Sequence, residues 1–237
     1  MKKRMLLTAL VLCLLLTLLP TSALAGNGNT EFPQRCTAYM KIKFRCGCKT
    51  TGTGGLIAAD GLLTAGHNLI CREHNALVTS IEFYFGYISS DNYWYRYKGK
   101  YTPIPFCDFS KGYTAENDIG LVKFAEKIGL KIGWYGSQTR RASEYEREKG
   151  FICYHSSDGK GLICKGTIRE GNYRDAISID HAELPAGADG APIYFLRGAG
   201  LNEALIAVYT HSENGKCYGT VINRDVFDTM QQKLSFE

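Results

Sequence analysis

The chain has 237 residues, 45% of them hydrophobic and 22% charged, with a formal net charge of +5 at pH 7. Three of the positive charges, Lys2, Lys3 and Arg4, open the sequence with no acid beside them. The remainder is nearer neutral, which argues against a nucleic-acid or anionic-membrane binder, and its length suffices for one sizeable core or two small lobes.

Residues 1–25 read as an export signal: the basic start, an apolar run from Leu6 to Leu19, and the small-x-small sequence Ala23-Leu24-Ala25. The run is shorter than the roughly 20 residues of a membrane span. Cleavage is predicted after Ala25, which makes the protein secreted, either outside the cell or within its envelope. Cys13 lies in the run, but Leu12 before it is not the small residue a lipid anchor requires. Residues 26–237 are expected to form one domain that begins with a short flexible leader at 26–33.

The predicted elements begin with apolar segments at 54–58 and 62–65, which flank Asp60-Gly61, a hairpin signal. Segments 81–88 and 93–97, rich in aromatic and β-branched residues, lie on either side of Asp91-Asn92. Another strand is predicted at 118–124, and a lobe boundary near 126–137. The second half repeats the pattern at 151–154, 162–168, 176–179, 192–196, 205–210 and 218–222. Many short strands between turns indicate an all-β sandwich or barrel. Only the tail departs from this. Asn223 is a candidate N-cap, and Val226, Phe227, Met230 and Leu234 recur at helical spacing, which predicts an amphipathic helix covering a barrel.

Nine cysteines less Cys13 leave Cys36, Cys46, Cys48, Cys71, Cys107, Cys153, Cys164 and Cys217, an even set that reads as disulfides in an exported chain. Cys153 and Cys164 flank the polar turn Ser156-Ser157-Asp158-Gly159 and are expected to clamp a hairpin. Cys71 is expected to join Cys46 or Cys48 and pin the loop after His67. A rival reading makes Cys46, Cys48, His67 and Cys71 a metal site, but the C-x-C spacing is tighter than the usual zinc knuckle. No metal and no cofactor are expected.

Three further segments carry chemistry, and their order matters. Leu63-Thr64-Ala65-Gly66-His67 puts a histidine just after a strand. Asn117-Asp118-Ile119-Gly120-Leu121-Val122 opens a strand with an acid. Gly187-Ala188-Asp189-Gly190-Ala191-Pro192 is a glycine-rich turn before a strand. Each alone is ordinary. Together they resemble the T-A-A-H, D-I-A-L and G-D-S-G-G-P segments of the trypsin/chymotrypsin-like serine proteases, in the chymotrypsin order of histidine, aspartate and nucleophile. The resemblance covers essentially all of 26–237. It implies two six-stranded antiparallel β-barrels with a C-terminal helix, a site in the cleft between the barrels, peptide or protein ligands, and a monomer.

Under this resemblance His67 matches the general base and Asp118 the acid that orients it. Gly187, with the backbone of Asp189, matches the oxyanion-hole donors, and Gly190 and Pro192 match the framing residues. Asp189 itself falls on the nucleophilic serine. Glu183 stands near where trypsin-like members select basic side chains, although Glu183-Leu184-Pro185 also reads as a surface turn. Val208-Tyr209-Thr210 resembles the strand lining the specificity pocket. The glutamyl-endopeptidase branch carries a histidine there; here the match is Tyr209, with His211 two residues on. His74, His155 and His181 have no motif around them and are expected at the surface.

A carboxylate has no proton for His67 to remove and is a poor nucleophile toward amides. Two flanking carboxylates favour a charged imidazole, and the Asp189 carboxylate could also fill the oxyanion hole itself. The expected protein is an inactive protease homologue that binds peptides. One alternative is an active serine-type endopeptidase using Ser178 or Ser212, neither of which lies in the family's frame. Another is a scaffold that makes contacts through its tyrosine-rich segment (Tyr84, Tyr87, Tyr93, Trp94, Tyr95, Tyr97, Tyr101), although aromatic residues also fill barrels and several of these are expected in the core.

Overall fold

The structure is a computed structural model and describes residues 30–89, 91–107, 117–171, 175–180, 183–197 and 202–236. The signal segment, the first half of the leader (26–29) and His181 lie outside the described residues. Two sheets hold all the strands described. The first contains β1 (Thr37–Phe44), β2 (Lys49–Ala58), β3 (Gly61–Thr64), β4 (Ile70–Cys71), β5 (Ala76–Phe85), β6 (Tyr95–Tyr97), β7 (Tyr101–Pro105) and β8 (Gly120–Phe124). Its strands lie in the order β4-β5-β1-β2-β3-β8-β7, with β6 also on β5.

The second sheet contains β9 (Gly136–Ser137), β10 (Lys149–His155), β11 (Gly161–Glu170), β12 (Ala176–Asp180), β13 (Pro192–Arg197), β14 (Asn202–Glu213) and β15 (Lys216–Val221). The path β13-β10-β11-β12-β15-β14 returns to β13 and closes a ring of six, leaving the two-residue β9 as a parallel edge on β14. The expected pair of antiparallel barrels is therefore observed. The first sheet exceeds six strands because the short β4 and β6 join it. Each lobe has its own core: Met40, Leu56, Leu63, Phe83 and Phe124 help fill the first, and Ile152, Ile168, Ile179, Ile193 and Ile206 the second.

The C-terminal helix spans Arg224–Lys233, and Asn223 Oδ1 caps it by accepting the Val226 N–H at 3.0 Å. Val226, Met230 and, just beyond the helix, Leu234 are buried in the core of the first lobe, although the helix follows the second barrel in sequence. The tail is tied to the Asp60-Gly61 hairpin. Ser235 N–H donates to Asp60 Oδ1 at 2.7 Å, and Ala59 N–H donates to the Ser235 carbonyl at 3.0 Å. Gly61 leaves room for Leu234, whose side chain would have to shift if a Cβ stood there.

Two expectations are corrected. The strands β10 and β11 pair Cys153 with Ile163 and Ile152 with Cys164. Successive residues of a strand point to opposite faces, so Cys153 and Cys164 cannot clamp this hairpin. Cys153 enters the core that holds Cys36, and Cys164 the core that holds Cys217. Among the described residues no two cysteine sulfurs are at bonding distance. Second, His155 is not a surface residue. It is buried beside Tyr39 and Tyr87, with ring centroids at 5.9 and 6.3 Å, and burial pushes its pKa down to about 3. The interior role expected for several residues of the tyrosine-rich segment is observed: Tyr97 lies in the first core, and Tyr84 and Tyr87 cluster with Tyr39.

Candidate active site

The three motif segments meet where the lobes face each other. Strand β3 delivers the chain into a tight turn, Gly66–Asn68, that carries His67. A side chain on Gly66 would strike Cys107 Sγ, and its absence lets the turn close on Asp118. His67 N–H donates to Asp118 Oδ1 at 2.8 Å, and His67 Nδ1 lies 2.7 Å from Asp118 Oδ2. On the other side of the ring, Nε2 lies 3.4 Å from Asp189 Oδ2. The Asp118 side chain is fully buried, whereas that of Asp189 is 40% exposed.

Arg72 completes the group and carries no signal in the sequence. Its Nη2 donates to Asp118 Oδ2 at 2.9 Å. The same nitrogen comes within 2.7 Å of His67 Nδ1. Because Nδ1 donates to Asp118, that last contact is two donors crowding one oxygen, not a hydrogen bond. Burial opposes a charge on His67, but Asp118 and then Asp189 outweigh it and hold the ring's pKa up at about 9. Burial also works against the Asp118 charge, yet His67 and Arg72 hold that carboxyl down at about 2. At neutral pH the ring is an imidazolium between two carboxylates, with no nitrogen free to accept a proton.

The first lobe grips the glycine-rich turn of the second. Thr53 N–H and Asn68 Nδ2 both donate to the Asp189 carbonyl at 2.8 Å. Thr53 Oγ1 donates to the Gly187 carbonyl at 2.7 Å. Gly190 sits at φ +86°, where a Cβ would strike Thr64 Oγ1 and the Thr53 carbonyl. Neither the Gly187 nor the Asp189 N–H donates to an acceptor among the described residues. The expectation that the Asp189 carboxylate would occupy those donors is not met, because the carboxylate leans toward His67 instead.

Beside Asp189 lies a cleft of about 290 Å³ lined by residues that include Arg72, Glu183, Tyr209, His211 and Ser212. Glu183 is exposed on its wall, and Tyr209 is buried, its hydroxyl 2.8 Å from Ser212 Oγ. Ser212 Oγ also accepts the Leu184 N–H at 3.3 Å. His211 stacks on Tyr218 with centroids 4.9 Å apart. Ser178 is buried within β12, opposite Tyr218, and is not part of the cleft wall. Cys71 does gather with Cys46 and Cys48, but the histidine beside them is His74. His67, which the rival metal reading used, is already engaged by Asp118.

No family model and no curated protein matches the chain. Solved structures do. The protease Anisep from Arthrobacter nicotinovorans superposes with a TM-score of 0.71 at 15% identity, over 86% of this chain and 97% of its own. The thermostable serine protease AL20 from an extremophilic microorganism gives 0.68 at 11%, over 86% and 96%. A Glu endopeptidase gives 0.67 at 15%, over 86% and 92%. The chain has a chymotrypsin-type fold. Within a chymotrypsin-type fold, the meeting of His67, Asp118 and Asp189 falls between the two barrels. Among the described residues no helix is long and apolar enough to cross a membrane.

Proposed function

We propose that the chain is an exported homologue of the trypsin-like serine proteases that binds peptide segments in its cleft and does not hydrolyse them. One observation carries the reading: the His67 ring lies 2.7 Å from Asp118 Oδ2 and 3.4 Å from Asp189 Oδ2. A general base must be neutral and must face a hydroxyl. Here the ring is charged and faces a carboxylate in the nucleophile's place. Loss of the nucleophile from such a triad lowers turnover by about a million-fold.

The means of binding remain. The Gly187 and Asp189 N–H groups donate to no acceptor among the described residues and would serve a peptide carbonyl, and the adjoining cleft offers Glu183 to a basic side chain. Export rests on the basic, apolar and small-residue pattern of residues 1–25.

The test is cleavage of an unbiased peptide pool by the purified protein, by Asp189→Ser, and by Asp189→Ser combined with His67→Ala. The natural protein is expected to be silent, the serine variant to cut, and the double variant to be silent again. Cleavage by the natural protein that disappears on His67→Ala overturns the reading.

A further inference from the structure

Cys46, Cys48, Cys71 and His74 each offer one ligand atom, and the four atoms lie within 4.8 Å of one another. The sequence spreads them over two loops. Cys46 and Cys48 lie on the turn joining β1 to β2, with Gly47 between them at φ +92°. That backbone conformation, which glycine adopts freely, folds the turn so that both sulfurs face the same neighbour. Cys71 ends β4, and His74 follows in the turn before β5, where Asn75 also has positive φ. Arg45 N–H donates to the Leu77 carbonyl at 2.9 Å and holds the two loops together.

Two of the six separations match the edge of a coordination tetrahedron, and all six are within 4.8 Å. Sulfur and nitrogen ligands at zinc's bond lengths stand about 3.5 Å apart along a tetrahedral edge. Here His74 Nδ1 lies 3.5 Å from Cys71 Sγ and 3.6 Å from Cys48 Sγ. Glu73 Oε2 is farther from that nitrogen, at 3.9 Å, and its side chain is 82% exposed, so the carboxylate is not part of the set. A disulfide takes sulfurs in pairs, so any single bond among the three would strand one thiol beside an imidazole. A metal ion uses all four groups. Three thiolates and one imidazole suit zinc in preference to calcium or magnesium, and four protein ligands leave no open position, as in a structural site.

We propose that Cys46, Cys48, Cys71 and His74 form a structural site for a thiophilic divalent metal ion, zinc by its ligand set. The ion would join the β1–β2 turn to the β4–β5 turn. Residue 72 follows a ligand directly, so the ion would also fix the base of the loop that reaches Asp118. None of the four ligands lines the peptide cleft, and the test does not depend on whether the protein is a protease.

The full chain, purified as exported and without chelators or reductants, should carry about one zinc per chain by elemental mass spectrometry. Exchange with cobalt should give the intense visible bands of a tetrahedral thiolate complex, a readout that needs no variant. His74→Ala should weaken metal binding by tenfold or more, and His74→Cys should retain it. Sub-stoichiometric metal together with a mapped Cys46–Cys71 or Cys48–Cys71 disulfide overturns the proposal. So does uptake of metal only after such a bond is reduced.

Discussion

At His67 two carboxylates act on a single ring, and the resulting charge has a measurable dependence on pH. Its pKa is raised from 6.5 to about 9, with Asp118 the larger cause of the rise and Asp189 the smaller. A raised pKa means that the charged ring stabilises the fold fully below about pH 6.5, and that this contribution fades as pH climbs through about 9. The ring's proton resonances should titrate with a midpoint near that value. Asp189→Ser should lower the midpoint, and Asp118→Asn should lower it further. A midpoint that does not move in Asp189→Ser would show that the second carboxylate does not act on the ring. His67, Asp118 and Asp189 were legible because each sits in a short motif that fixes its own backbone. Arg72 was not, because only the fold carries its side chain to Asp118, which lies far along the chain.

Among the elements, the C-terminal helix is the one most dependent on a few named contacts. Asn223→Ala removes the cap and should lower stability by about 1 kcal/mol. Met230→Ala opens a cavity in the first core and should cost about 2–5 kcal/mol. Denaturant unfolding measures both, and equal losses in the two variants would argue against the helix being a packed part of that core. This helix was readable from its spacing of apolar residues, and the strands from their β-branched and aromatic runs between turns. The pairing of cysteines was not readable. The turn between β10 and β11 sets a register in which Cys153 and Cys164 miss each other by one residue, and one residue decides which face a side chain takes. The rival metal reading took His67, four residues before Cys71, as the fourth group, whereas the turn before β5 presents His74, which has no motif around it and lies three residues after Cys71.

The molecule as a whole is two barrels that share more than a cleft. The first lobe grips the second through Thr53 and Asn68, and the second returns its helix to the first through Val226, Met230 and Leu234. Removing residues 224–237 should therefore weaken the lobe that is distant in sequence. Hydrogen exchange should show protection lost first in β1, β2, β3 and β8, with the six-stranded ring of the second lobe less affected. Loss confined to the second lobe would mean that the helix belongs to that lobe instead.

The placement of that helix also sets a schedule for biogenesis. It lies downstream of every strand described, so it is synthesised after the strands of both sheets. The amino-terminal barrel, the first to emerge, must wait with an unfinished apolar surface until the segment that covers it arrives. In this order of synthesis the barrel begun first is the one completed last.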